Sequence, residues 1–435
     1  MKSSPQVTVI GAGYVGLVTA TLLAEAGIKT HILDLASPKI KTIKRGRAPF
    51  FEPGLDELVA KTIKNNRLLA TTSYRQAVPS SEIIFCCVGT PDKKDGSSNL
   101  GYVHKALRTA AGLAADGVVF VQKSTVPAGT GQSLIKTINK MAPGLQFSYV
   151  SNPEFLREGS AITDSRHPDR VVLGGDSPAA IRRVAGLYRL ITKPGAKYLQ
   201  TSLESAELIK VTANAFLALK ISFANSIAKL AGQTGADIKS VMDGVGLDKR
   251  IGRAFLNAGR GYGGGCFPKD VAGLIAAAAQ SGADMTIMES VVKVNNSMPN
   301  YVVKRLSDQL GAKTGQLVAV LGLSFKAGTS DSRRSPAVAI SNLLADCGYR
   351  VTTYDPKAVI ANRQLKTAVK RLPNLPAALK GVAAVVVATD WPEFVNLDWS
   401  NVKGQMAGDL VLDAMNCLDD AAVTKAGLRY TGIGR

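Results

Sequence analysis

The chain has 435 residues, 46% of them hydrophobic and 20% charged, which suits a folded globular protein of two or three domains, each with its own core. No apolar run reads as long enough to span a bilayer and the N-terminus enters a strand, QVTVIGAG, directly, so neither a membrane segment nor a secretory leader is expected and a cytoplasmic location is. The formal net charge is +20, but the lysines and arginines are spread without a basic tail or interleaved aromatics, pointing to a solvated basic surface or anionic small substrates rather than nucleic acid.

The N-terminal part alternates VTVIGAG, a helix over 14–26, KTHILD, a helix near 38–46, then EIIFCCVG and GVVFVQKST. That alternation predicts a parallel, doubly wound sheet. Gly11, Gly13 and Gly16, with Tyr14 and Val15 between them, form Gly-Ala-Gly-Tyr-Val-Gly after a strand and before a helix. In this context the glycines allow the tight turn, the approach of backbone to a pyrophosphate, and close helix–strand packing. Asp34 ends the next strand, where a carboxylate binds the adenosine ribose and repels a 2′-phosphate, so NAD is expected rather than NADP. Thr90, beside Pro91, and Thr125 in KSTVPAGT sit in loops expected to border the nicotinamide side. A break is read at ITKPGAKYL (191–199).

From about residue 203 a long helical pattern begins, LESAELIKVTANAFLALKISFANSIAKLA, apolar around nearly its whole circumference. Such a helix is expected to be buried, in part by a second subunit. Glu207, Lys210, Asn214 and Asn225 fall close to one stripe of it. Helix continues to about residue 310, interrupted by residues 259–270, GRGYGGGCFPKD. Pro268 suits a first helical turn, so Cys266 is expected near the N-terminus of VAGLIAAAAQ, where partial positive charge favours a nucleophilic thiolate. Lys269 and Asp270 add charge within one turn. The linker GAKTGQ (311–316) precedes a second α/β pattern with strands LVAVLGLS, RVTTYDP, AAVVVAT and VLDAMN. The expected fold is α/β: two Rossmann-like, doubly wound domains at 1–200 and 311–435, joined by a central helical domain at 201–310, with a ligand cleft between the sheet domains.

The remaining cysteines, Cys86, Cys87, Cys347 and Cys417, are scattered, and with Cys266 they are odd in number and form no CxxC pair. Neither a disulfide framework nor a zinc site is indicated, and Cys86 and Cys87 read as packing residues of a strand. His31, His104 and His167 are isolated in sequence, so no metal is expected and acid–base work falls to Lys, Glu, Asp or water.

The motifs GAGYVGLVTA, PFFEPGL, VGTP, KSTVPAGT, SNPEFLREGSAI, KVTANAFLALKIS, RIGRAFLNAG, GYGGGCFPKD, GLSFKAGTSDSR, YDPK and YTGIGR, in this order, resemble those of the nucleotide-sugar 6-dehydrogenases over essentially the whole chain. The resemblance implies an NAD-dependent four-electron oxidation of a sugar CH2OH to a carboxylate, with UDP-glucose the expected substrate and GDP-mannose the alternative. It implies Cys266 as nucleophile, Lys210 and Asn214 as an oxyanion site, Asp270 and Thr125 as groups that position water or a proton, and Glu154 as general acid/base. It further implies substrate contacts from Phe155, Leu156, Asn257, Gly261, Tyr262, Gly263 and Lys326. Cofactor contacts would come from Lys39, Glu158 and Arg333 beside Asp34, Thr90 and Thr125. A homodimer through the long helix, with Arg250 reaching the other subunit's site, is implied as well.

On the residues alone, Cys266 also reads as a small packed hydrophobe, Lys210 as a snorkelling side chain, Glu154 as a loop brace and Arg250 as a surface charge. A two-electron dehydrogenase would leave Cys266 without a task. Two positions depart from the family pattern. Arg333-Arg334-Ser335 stands where the family has Arg-Glu-Ser, and Asp413-Ala414-Met415-Asn416 where it has Asp-Gly-Arg-Asn, whose arginine contacts the nucleotide diphosphate.

Overall fold

Short aliphatic and β-branched runs become strands buried on both faces, as a parallel sheet covered by helices requires. The computed structural model describes residues 6–311, 315–361 and 363–435; residues 312–314 of the expected linker lie outside the described residues. The chain divides into two compact units. The first runs to Ala213 and includes Ala272–Ala283, and the second comprises Asn214–Val271 and Asp284–Arg435. Two of the three divisions fall inside helices, Leu203–Thr234 and Phe267–Gln280, and the third lies between Phe267–Gln280 and Thr286–Leu310.

In the first unit the strands are β1 (Val7–Ile10), β2 (Thr30–Leu33), β3 (Leu68–Thr71), β4 (Ile83–Cys86), β5 (Val118–Gln122), β6 (Phe147–Ser151), β7 (Arg170–Gly174) and β8 (Lys197–Thr201). They form one sheet in the order β3-β2-β1-β4-β5-β6-β7-β8. Pairing is parallel except where β6 meets β7, antiparallel at Ser151 and Gly174. The direction of winding reverses between β1 and β4, the switch point at which nucleotides bind doubly wound sheets. Val7 and Val9 of β1 face a core with Leu17, Leu22, Ile32 and Val59. Ile10, Ile84, Cys86 and Phe120 face the other, with Leu107, Leu134 and Ile138.

The second unit holds β9 (Leu317–Leu321), β10 (Arg350–Tyr354), β11 (Val369–Arg371), β12 (Ala384–Val387), β13 (Leu410–Asp413) and β14 (Arg429–Gly432), all parallel, in the order β11-β10-β9-β12-β13-β14. The two sheets share a local device. Gly11 after β1 and Gly322 after β9 both take positive φ, 104° and 97°. An aspartate follows the next strand in each: Asp34 after β2, Asp355 after β10. Asp355 is turned inward, accepting from the N–H groups of Leu323 (2.7 Å), Ser324 (2.8 Å) and Ala358 (2.7 Å) and from Trp391 Nε1 (3.2 Å).

Three expectations are corrected. The segment read as a break contains β8, an edge strand whose sequence KYLQT is half exposed and lacks an apolar run. β11 and β14 were likewise not signalled, the first because it is three residues long and the second because it closes the sheet's other edge. The helix Leu203–Thr234 is, against expectation, long and apolar enough to cross a membrane, with a mean hydropathy of 1.2 over its most apolar window. That window is 44% buried, and the helix also carries buried Glu207, Lys210, Asn214 and Asn225, which marks it as a core helix of the fold. Nor is it buried all round: Leu208, Phe216, Phe223 and Leu230 are exposed.

Burial opposes ionisation of Asp355, but the backbone N–H groups of Ser324, Leu323, Lys357 and Ala358 outweigh it and hold the carboxyl below its ordinary value. A depressed carboxylate contributes stability that is present above its unfolded value of about 4 and lost as pH falls through the folded one. Asp355→Asn is therefore expected to lower the unfolding free energy at pH 7 by about 2–3 kcal/mol and to flatten the acid limb below about pH 4, measured by urea titration across pH.

Candidate active site

The first unit supplies a dinucleotide cradle. Gly11, pressed against the carbonyl of Cys87, leaves no room for a side chain: an added Cβ would lie 2.6 Å from that oxygen. At Gly13 the reverse holds, with no atom within 4 Å of the added Cβ, so the open space lies where a pyrophosphate would approach the start of the helix Tyr14–Glu25. Asp34 accepts from the N–H of Ala12 (2.8 Å) and of Ala36 (2.8 Å), which fixes its carboxylate beside the glycine turn. Lys39 Nζ stands 3.5 Å from it. Tyr14 stacks on Phe50 at 4.0 Å and donates its hydroxyl to Phe51 O (3.1 Å), tying the PFFEPGL loop to the fingerprint. Val15 packs against the first core. Thr90 Oγ1 donates to Thr125 O (2.9 Å), so the two loops after β4 and β5 are joined. Glu158 lies in a turn held by Glu52, whose carboxylate accepts from Gly159 N (2.7 Å) and Ala161 N (2.7 Å).

On the same unit Lys210 is 3% exposed and pairs with Glu154, Nζ to Oε1 3.2 Å. The other oxygen of Glu154 accepts from Leu156 N (2.6 Å). Phe155 stands between two cations: Arg170 lies 3.8 Å and Lys210 Nζ 5.4 Å from its ring centroid. One turn further along the helix, Asn214 Nδ2 donates to Asp270 Oδ2 (2.6 Å) in the second unit, and Lys269 Nζ reaches Asp270 Oδ1 (2.7 Å). Glu154, Lys210, Asn214 and Asp270 are buried, and they are paired as buried charges and amides require.

The glycine run explains itself residue by residue. Added side chains would meet Ala414 O at Gly259 (2.9 Å), Asn295 Oδ1 at Gly261 (2.7 Å), Pro336 Cδ at Gly263 (2.8 Å), the Phe325 ring at Gly264 (3.0 Å) and the Arg333 guanidinium at Gly265 (2.6 Å). Tyr262 is fastened by Asn295, which both accepts from its N–H (2.8 Å) and donates to its carbonyl (3.1 Å). The loop then delivers Cys266 to the cap of Phe267–Gln280, its carbonyl accepting from Asp270 N (2.8 Å), with the residue itself exposed.

Arg333 lies beside this run, paired with Asp331 at 2.6 Å, and Lys326 Nζ is 5.9 Å from the Phe325 centroid. Arg250 is almost fully exposed and forks onto Asp248 (2.6 Å). Asn257 accepts from Arg253 Nη1 (2.7 Å). Sequence reasoning gave three groups no task, although it placed Glu207 and Asn225 on the stripe of Lys210 and Asn214. Glu207 anchors the loop after β5 through Gly129 N (2.7 Å) and Gly131 N (2.8 Å); burial pushes its carboxyl up to about 7 against the pull of those N–H groups. Asn225 accepts from Gly259 N (2.8 Å), at the head of the glycine run. Arg260, inside a recognisable motif, is 1% exposed where a loop arginine would be expected in solvent.

Matches to three domains of one family run along the chain: the NAD binding domain of the UDP-glucose/GDP-mannose dehydrogenase family over residues 5–192, its central domain over 204–297 and its UDP binding domain over 319–420. The chain belongs to the UDP-glucose/GDP-mannose dehydrogenase family. It is 42% identical over 433 residues to the UDP-glucose 6-dehydrogenase YwqF of Bacillus subtilis (strain 168), covering 99% of this chain and 97% of the relative. With UDP-glucose 6-dehydrogenase of Rhizobium meliloti (strain 1021) the identity is 41%, over 99% of both chains. Among solved structures, a UDP-glucose dehydrogenase from Pyrobaculum islandicum superposes with a TM-score of 0.90 at 37% identity, covering 99% of this chain and 98% of that one. A UDP-D-ManNAc dehydrogenase from Pyrococcus horikoshii gives 0.87 at 27%, over 99% of both. The cradle fits the family's NAD: Asp34 offers a carboxylate to a ribose, and Gly13 leaves the space a pyrophosphate needs.

Burial pushes the Cys86 thiol up to about 12 and the Cys87 thiol higher still, whereas Cys266 is exposed at a helix N-terminus and Cys347 caps the opposite, C-terminal end of its helix. Iodoacetamide at pH 7 is expected to alkylate Cys266 first, Cys347 more slowly, and Cys86 and Cys87 only on unfolding, as read by peptide mass spectrometry.

Proposed function

We propose that the protein oxidises the C6 hydroxymethyl of UDP-glucose to the carboxylate of UDP-glucuronate, reducing two NAD+ and consuming one water. Membership of the family along all three domains and full-length identity to UDP-glucose 6-dehydrogenases support the substrate. The observation that carries the four-electron chemistry is Cys266, exposed at the cap of Phe267–Gln280 behind a loop that only glycine can build. Residues 1–200 are assigned to the cofactor, 201–310 to catalysis and subunit contact, and 311–435 to the nucleotide sugar.

NAD+, held by Gly11, Gly13, Gly16 and Asp34, supplies hydride acceptance when bound, once per two-electron stage. The chain's own residues do the rest. An aldehyde has no hydride to give from a tetrahedral carbon, so Cys266 adds its thiolate there, forming a C–S bond while the carbonyl π pair moves onto oxygen. The Lys210 ammonium and an Asn214 N–H receive that oxyanion. Asn214 gives one N–H to Asp270 and so has a second to offer, with its orientation fixed by the first. At the thioester stage water attacks the carbonyl carbon, its proton passes to Glu154, with Asp270 and Thr125 positioning, and the C–S bond breaks to return the thiolate. Phe155, Leu156, Asn257, Gly261, Tyr262, Gly263 and Lys326 are assigned to the sugar nucleotide, and Lys39, Thr90, Glu158 and Arg333 to the cofactor.

The proposal extends to a homodimer. Leu208, Phe216, Phe223 and Leu230 are between 45% and 57% exposed along one side of Leu203–Thr234, an apolar stripe that a second copy would cover, with Arg250 offered to the partner's site. No disulfide joins cysteines among the described residues, in keeping with the cytoplasmic setting proposed here.

Two NADH per UDP-glucose are expected in a spectrophotometric end-point assay, and one would sink the mechanism; oxidation of GDP-mannose with UDP-glucose inert would reassign the substrate. Cys266→Ser should lose steady-state turnover by a factor on the order of 10³ or more. Phe223→Glu should convert the dimer to monomer in light scattering after size exclusion.

A further inference from the structure

Arg260 is a buried cation that makes no ion pair among the described residues. Its Nη2 donates to Phe325 O (2.9 Å) and makes longer contacts with Ser324 O and Thr389 Oγ1 (both 3.4 Å). Nε and Nη1 are buried with no hydrogen-bond partner, and the guanidinium forms no ion pair among the described residues. Burial lowers its pKa to about 10, only partly offset by the fields of Asp390, Asp355 and Cys417, so the group is cationic at neutral pH. An enclosed charge with two unsatisfied donors is costly to hold unless an anion completes it.

The missing anion is identified by what surrounds the residue. Arg260 lines a cavity of about 490 Å³ together with Asn257, Asp390 and Met415, a volume suited to a small-molecule ligand. Its own N–H donates to Ala414 O (2.8 Å), one residue from the position where the family carries an arginine toward the nucleotide diphosphate and this chain carries methionine. We infer that Arg260 supplies the positive charge that faces the nucleotide diphosphate, in place of the arginine that position 415 lacks. A cation that the segment after β13 lacks at Met415 is thereby offered from the adjacent glycine run, and both residues line the same cavity. Guanidinium keeps the forked donor set that phosphate oxygens match.

The inference rests on the nucleotide-sugar reading, and its test separates the two. Calorimetry on the full-length protein compares UDP, GDP and uridine for wild type, Arg260→Gln and the exchange variant Arg260→Met/Met415→Arg. Arg260→Gln is expected to weaken UDP about 10- to 100-fold, to leave uridine within about twofold, and to raise KM for UDP-glucose similarly with kcat within about threefold; the exchange variant regains most of the loss. Equal UDP affinity in a folded Arg260→Gln overturns the inference. Wild-type protein that binds neither nucleoside diphosphate overturns the substrate reading instead, and if it binds GDP alone the same comparison is read on GDP. Should Arg260→Gln fail to fold, Met415→Arg in the native background decides. A second guanidinium at the same diphosphate should lower Tm without ligand and enlarge the UDP-induced rise, and an unchanged rise overturns the proposal.

Discussion

The helix Leu203–Thr234 buries polar side chains and exposes large apolar ones, and the candidate site depends on that arrangement. Glu207, Lys210, Asn214 and Asn225 are buried among small residues such as Ala206, Ala218 and Ala224, while Phe216, Phe223 and Leu230 face outward about half a turn away. Each polar group fastens a different functional loop: Glu207 the turn at 129–131, Lys210 the NPEF segment, Asn214 the first turn of Phe267–Gln280, Asn225 the head of the glycine run. Buried polar groups are costly when unpaired, so the same bonds that orient the loops also fix the helix face that must turn inward. The apolar stripe left outside is then a consequence of which face the polar groups turn inward.

The contacts that Lys210 and Asn214 of that helix make with carboxylates differ in kind. Lys210 and Glu154 form a buried pair whose net stabilisation is small, because the attraction mainly offsets desolvation, yet removal of either partner strands the other. Asn214 and Asp270 instead make a neutral–ionic hydrogen bond, with Lys269 neutralising the second oxygen. Both contacts hold a donor of the helix in a fixed direction, so Lys210 and Asn214 are oriented before any ligand arrives.

Much of this was legible in the sequence because local chemistry and global fold agree. The glycine fingerprint, Asp34, the central strands and the capping position of Cys266 each follow from a pattern read within a few residues. What escaped depends on neighbours distant in sequence. β8 and β14 close edges and lack the double-sided burial that makes a parallel strand recognisable. The helix Leu203–Thr234 is apolar all round in sequence, so periodicity could place its polar residues on one stripe but could not show that this stripe is the buried one. Arg260 sits in a loop, where a charge normally points to solvent, and only contacts with residues 324, 325, 389 and 414 turn it inward.

The glycine run supplies the last step. Five of its positions cannot accept a Cβ without displacing residue 414, 295, 336, 325 or 333, so the backbone itself forms the wall on which the second unit's ligand groups are mounted. A wall without side chains offers N–H groups and little charge. Charge at such a site comes from the residues that interrupt the glycines and from those packed against them, the Arg333 guanidinium at Gly265 among the latter. Tyr262 is locked by Asn295, and Cys266 stands exposed at the helix cap. Arg260 is the cation within residues 259–266, and it is turned inward by its backbone N–H on Ala414 O and its guanidinium on Phe325 O.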